Sequence, residues 1–293
     1  MNQKFSKAAQ APPDLERLVS AANGMLPMSV YREIYKVATG VAGGRFVEVG
    51  TAHGAATIAI ALGAGVQERI FSVWSVDQLG GRFSSRRAFG SPEDNARIIE
   101  GNLGRANVLD SVRVFVGSSE EFVTSEACPK EIDFLLLDAD GRIDRDLGYF
   151  YPRMSPGSPI VIDDVDEQVY LSRDHDGVPY IDLKHRVSNL LLKAYESRGF
   201  LRVRYRLENT AFCERGEAIF DSETFAEIAI GCYRQLVFSS VREPIWDELT
   251  RWKEDVRDVR LAMRVWETVP PSVWAGLRRV RRSVVSLLGR SGN

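Results

Sequence analysis

From Arg45 to Ile162 the chain alternates short β-branched runs with segments of helical periodicity, and no other feature restricts its fold as much. The runs are Arg45 to Val49, Ile70 to Val76, Val112 to Val116, Ile132 to Leu137 and Pro159 to Ile162. Between them lie helical segments at Ala55 to Leu62, Pro92 to Leu103, Ser119 to Ser125 and Asp144 to Met154. Each connection is long enough to return the chain parallel to the strand before, which predicts a doubly wound α/β sheet with helices on both faces. A helix over Ile181 to Ser197, with Leu183, Val187, Leu190, Leu191 and Ala194 as its apolar stripe, precedes two further strands, Phe200 to Arg206 and Thr210 to Cys213. Only Leu207, Glu208 and Asn209 separate that pair, so it forms a hairpin and sets one antiparallel strand in an otherwise parallel sheet.

The chain divides into an N-terminal helical flank over 1–40, with a helix from Ser29 to Thr39, a sheet domain over 41–220, and a helical C-terminal appendage over 221–293. Pro270 and Pro271 break the appendage before a final helix, Ser272 to Leu288. That helix sets Arg278, Arg279, Arg281 and Arg282 beside Leu277, Val280, Val284 and Leu288. Such a basic amphipathic surface suits a partner subunit, and hence a homo-oligomer, or a solvated face, and less well an anionic membrane. Trp246, Trp252, Trp266 and Trp274 in the same region call for burial against the sheet domain or another copy.

With 38 Lys and Arg against 40 Asp and Glu, the chain lacks the basic excess of a nucleic-acid binder. Three cysteines, none in a Cys-x-x-Cys pair, indicate neither a disulfide framework nor a thiolate zinc site and fit a reducing, cytoplasmic setting. No signal peptide is expected in the polar N-terminus, and no apolar stretch approaches the roughly 20 residues that cross a bilayer.

In open α/β sheets ligands lie beyond the carboxyl ends of the strands. After the first strand comes Glu48-Val49-Gly50-Thr51-Ala52-His53-Gly54, where the glycines allow a tight turn and close backbone approach, and Glu48 accepts from an amine or fixes the loop. Ala52 stands where a dinucleotide fingerprint needs its second glycine, which disfavours an NAD-dependent oxidoreductase. Asp77 ends the second strand, placed to take ribose hydroxyls or to cap a turn. Ser118 and Ser119 follow the third, where they meet an adenine edge or cap the next helix. The fourth strand delivers Asp138 and the fifth Asp163 and Asp164; adjacent strands are about 4.8 Å apart. These acids can share one hard divalent cation, or they are separate solvated and capping groups.

Taken in order, Glu48-x-Gly50-x-x-x-Gly54, Asp77, Val114-Phe115-Val116-Gly117-Ser118, Leu137-Asp138-Ala139-Asp140 and Pro156-Gly157-x-x-Ile160-Val161-Ile162-Asp163-Asp164 resemble the motifs of class I S-adenosylmethionine-dependent methyltransferases. Trp74 to Gly81 and the Asp138, Asp163 and Asp164 set are similar to the metal-dependent O-methyltransferases of small molecules, including sugars and catechols. The resemblance implies a seven-stranded sheet in the order 3-2-1-4-5-7-6. It places Gly50, Thr51 and Gly54 at the methionine part of S-adenosylmethionine, Asp77 at its ribose, and Ser118 or Ser119 at its adenine. It also implies Mg²⁺ on Asp138, Asp163 and Asp164, and a hydroxylated small molecule or glycoside as acceptor. Relatives often carry a basic residue three positions after the first acid, where this chain has Gly141; His175, in the polar stretch Ser172 to Pro179, is the replacement by location. His53 and His185 read as packing or surface residues. The departure at Gly141 keeps open a cofactor-binding module without turnover. Base methylation of nucleic acid is disfavoured, because no Asn-Pro-Pro-Tyr type motif follows the fourth strand.

Overall fold

The computed structural model describes residues 12, 14–80, 91–167, 170–173 and 179–238. These fall into two compact units: one takes the described residues up to 167 and from 183 to 237, the other the segment between. In the larger unit, β1 (Arg45–Val49), β2 (Ser72–Asp77), β3 (Val112–Val116), β4 (Phe134–Leu137) and β5 (Pro159–Ile162) run parallel, and β9 (Thr210–Arg215) and β8 (Leu201–Leu207) close one edge antiparallel. The sheet order is β3-β2-β1-β4-β5-β9-β8, the seven-stranded arrangement expected from the motifs. A two-residue turn, Glu208 and Asn209, joins β8 to β9, with Glu208 at φ +55°.

The strands are apolar because both faces are covered, and alternation sorts their side chains between two cores. Phe46, Phe134, Leu136 and Val161 face one core with α1 (Leu15–Ala21), α2 (Met28–Gly40), α3 (Ala55–Gly65) and α4 (Pro92–Arg105). Val47, Val49, Leu135, Leu137, Ile160 and Ile162 face the other, with α5 (Ser119–Thr124), α6 (Ile143–Phe150), α7 (Lys184–Ser197) and α8 (Ser222–Phe238). Buried on all sides, α3 is almost wholly Ala, Ile and Gly. Its Gly63 touches α2 so closely that an added Cβ would lie 2.9 Å from that of Ala38. The N-terminal flank thus completes the first core, and α8 contributes Phe225, Ala229 and Cys232 to the second.

Three features depart from the sequence expectations, the first being that the helix expected from Ile181 begins at Lys184, with Ile181 in a strand and Leu183 exposed. A short helix, α1, buries Leu15, Leu18 and Val19 ahead of α2. The stretch after β5, read as a polar loop, contains a hairpin of β6 (Tyr170–Arg173) and β7 (Pro179–Asp182) that belongs to the smaller unit. Pro179 starts its strand, a position that needs no backbone donor. The expected final helix, the four appendage tryptophans and His175 lie outside the described residues.

Candidate active site

The parallel ladders stay in register to their ends, so the first residues beyond the strands form a row. Gly50 N–H donates to the Val76 carbonyl, Asp138 N–H to Val49, Asp163 N–H to Leu137 and Gly117 N–H to Asp77, each over 2.9 Å. This row brings the glycine turn, Asp77 and the acids of β4 and β5 to one edge of the sheet.

Gly50 has φ +92°, and an added Cβ would fall on the Asp138 carbonyl, so only glycine fits. Gly54 is left-handed at φ +84° and begins α3. Between them, Thr51 and Ala52 donate their backbone N–H groups to Asp77 Oδ2 at 2.8 and 3.1 Å, while Leu79 N–H donates to Asp77 Oδ1 at 2.7 Å. Asp77 is therefore the clamp of the glycine turn. Three backbone donors fill most of its carboxylate's acceptor capacity.

Glu48 has the surroundings of a residue that fixes the loop, one of its two sequence readings. The residue is 0% exposed. Its Oε2 accepts hydroxyl bonds from Thr57 and Ser75, and Oε1 is buried without a partner. Burial pushes the carboxyl up to about 7, against the lowering effect of those two hydroxyls. Thr51 is buried too, its hydroxyl 2.5 Å from that of Ser75. Glu48, Thr57, Ser75 and Thr51 thus make an internal polar network under the turn. Ser118 caps α5 in a reciprocal box with Glu121, the capping alternative. Buried Ser119 donates to Asp146 Oδ1 at 2.6 Å, which ties α5 to α6 rather than turning the hydroxyl outward.

The structure does bring the three acids together: Asp138, Asp163 and Asp164 each offer an oxygen within 4.8 Å of the others. Strand alternation alone would send Asp163 and Asp164 to opposite faces. Asp164 breaks that alternation with φ +58°, so two consecutive carboxylates serve one cluster. Burial, then the charges of Asp163 and Asp164, hold Asp138 well above the usual carboxylate range. Burial and the Asp164 charge raise Asp163, despite a bond from the Thr210 hydroxyl. Asp164 is also penalised by burial, but bonds from His185 and Lys184 bring it below the usual range. Hard oxygen donors at this spacing, two of them costly to ionise without a counter-charge, fit a divalent cation.

Several contributors have no local signature in sequence. His185 Nε2 is 3.0 Å from Asp164 Oδ1 and its Nδ1 is 3.4 Å from Asp166 Oδ2. Burial would lower the His185 pKa, but these carboxylates outweigh it and raise it. Asn209 Nδ2 donates to Asp164 Oδ1 at 3.2 Å. A small cavity lined by Leu137, Gly141, Arg142, Asp146, Asp163 and Asp164 opens beside the cluster. Its wall is stiffened by Arg145, which binds both oxygens of Asp140 and both of buried Asp146.

A sheet of this order, with a left-handed glycine turn after its first strand, an acid clamp from its second and acids closing its fourth and fifth, has the fold of a methyltransferase domain. Residues 47–165 match the model of a family described as a methyltransferase domain. The fold is similar to that of the cofactor-bound protein Rv0187 from MTB, with TM-score 0.50 and 21% identity over 71% of this chain and 91% of that one. It is similar to the methyltransferase PaMTH1 of Podospora anserina, solved with SAH bound (TM-score 0.51, 13% identity, 72% and 91% of the two chains). A candidate caffeoyl-CoA O-methyltransferase from Staphylococcus aureus gives TM-score 0.51 and 16% identity over 70% and 93%. No curated protein sequence matches the chain. Among the described residues no helix is long and apolar enough to cross a membrane.

Proposed function

We propose that the domain transfers the methyl group of S-adenosylmethionine to a hydroxyl oxygen of a small molecule or glycoside, assisted by a divalent cation. The observation that carries this reading is the meeting of Asp138, Asp163 and Asp164 at strand ends next to the Asp77-clamped glycine turn. The similar fold of Podospora PaMTH1, which binds SAH, supports the cofactor, and that of the S. aureus candidate supports oxygen as the accepting atom.

In this mechanism the backbone from Gly50 to Gly54 seats the cofactor, and the clamp on Asp77 keeps that backbone shaped for it. Asp77 retains acceptor capacity for one ribose hydroxyl, while the half-buried turn at Gly117 and Ser118 is left for the adenine. Asp138, Asp163 and Asp164 would hold Mg²⁺, which when bound lowers the pKa of an acceptor hydroxyl and fixes its oxygen. The carboxylates orient the acceptor toward the cofactor side of the row, and Leu137 and Ile143 give apolar contacts on a wall that also carries Arg142 and Asp146. The hydroxyl proton passes to His175 in this reading, the sequence-based candidate. The homo-oligomer through the appendage and the cytoplasmic location belong to the same proposal.

Calorimetric titration of S-adenosylhomocysteine tests the cofactor half: wild type and Asp163→Asn bind it, and Asp77→Asn binds it about tenfold more weakly as the clamp slackens. Methyl transfer from radiolabelled S-adenosylmethionine to a panel of catechols and hydroxylated glycosides tests the rest, with activity lost in EDTA and restored by Mg²⁺. Undiminished binding by Asp77→Asn would refute the placement of the cofactor, and full turnover in EDTA would remove the cation.

A further inference from the structure

The loop after β4 and the start of α7 fit together in a way the proposed reaction does not use. Gly141 has φ +77°, and an added Cβ there would lie 2.7 Å from Lys184 Cβ and 3.3 Å from both Lys184 Cα and its carbonyl oxygen. Position 141 is here a notch that admits Lys184. Ser188 Oγ donates to the Gly141 carbonyl at 3.4 Å, holding α7 against the notch one turn further on. From this seat the Lys184 ammonium makes an ion pair with Asp164 Oδ2.

The first turn of α7 is Lys184-His185-Arg186, with no acid in it. Positive charge there opposes the helix dipole, so the turn depends on outside carboxylates for compensation. Asp164 provides it, with one oxygen facing Lys184 and the other facing His185. The arginines near the cavity are committed elsewhere: Arg145 to Asp140 and Asp146, and Arg142, in its wall, to Asp144. The ammonium charge also acts on Asp138 and Asp163.

We infer that Lys184 is a resident cation of the three-acid cluster, admitted by Gly141, and that a divalent ion must displace its ammonium from Asp164 to bind. This rests on the cation site proposed above. Two positive charges cannot share one small carboxylate cluster without strong repulsion, so loading the ion swings the ammonium outward. Cation affinity is thereby held down, and Lys184 becomes a residue that sets how much Mg²⁺ the site requires.

The test is a titration of Mn²⁺ into the full chain, with free Mn²⁺ followed by electron paramagnetic resonance. Lys184→Met and Lys184→Gln are expected to bind Mn²⁺ about tenfold more tightly than wild type, and Lys184→Arg no more tightly. A second measurement needs no variant: acetylation of Lys184, read by mass spectrometry, is expected to speed up when Mg²⁺ is added. Equal or weaker Mn²⁺ binding by Lys184→Met and Lys184→Gln, or labelling indifferent to Mg²⁺, would overturn the inference. If Asp163→Asn nevertheless weakens Mn²⁺ binding, the cation site itself survives that result. Absence of Mn²⁺ binding by wild type and Lys184→Met alike would defeat both.

Discussion

Glu48 shows how one buried carboxyl can carry a pH signature. Enclosed under the glycine turn, it keeps its proton in the folded chain up to about 7, whereas its ordinary value is 4.5. Between those values the folded state binds more protons than the unfolded state, so stability falls as pH rises through that window and levels off above it. The difference is on the order of 3 kcal/mol. Glu48→Gln removes this slope: urea denaturation at about pH 5 and about pH 8 is expected to show the variant gaining on wild type at the higher pH. An unchanged gap between the two would mean the carboxylate ionises at no cost inside the network. Sequence position suggested Glu48 as a ligand contact because it lies near the strand end, but only the packing of Thr57 and Ser75 around it shows that it faces inward. Lys184 and His185 illustrate the opposite case. Each reads as an ordinary helical residue, and their role depends on a contact with Asp164, which no local spacing encodes.

At the scale of elements, what sequence conveyed well were the strands and the residues just past them. Period-two burial on two faces leaves uninterrupted apolar runs, and the following Gly or Asp marks where each run stops. The β6–β7 hairpin was obscured because Ser, Asp, His, Gly and Pro between Ser172 and Pro179 are the residues of turns. The hinge between glycine turn and acid cluster is Gly50, whose missing side chain lets β1 meet the Asp138 carbonyl. Gly50→Ala is expected to cost about 3 kcal/mol or more, from the left-handed backbone and the collision together, read as a lowered denaturant midpoint. Attachment of α8 depends on Phe225, whose ring stacks on Tyr195 at 4.1 Å and meets Phe200 at 5.2 Å. Truncating it in Phe225→Ala should remove about 3–5 kcal/mol, and hydrogen exchange should show α8 loosening before the sheet.

For the whole molecule, the seven-stranded order followed from motifs in sequence, while the way the acid cluster is supported required coordinates. The acids come from β4 and β5, their charge balance from α7, and their hydrogen-bonding shell from Asn209 and Thr210 at the β8–β9 turn. Segments distant in sequence therefore maintain one cluster. Thermal melts are expected to show Mg²⁺ raising the midpoint of wild type, and not of Asp138→Asn, because binding to the folded state alone stabilises it. The Asp77 clamp carries a practical consequence as well. A cradle held open by three amide bonds before anything arrives has little left to organise on capture, so its contacts are not spent on ordering the chain. Adenosine and other fragments of the cofactor, although small, should then be detectable binders in a thermal-shift screen, giving chemists footholds from which inhibitors can be grown.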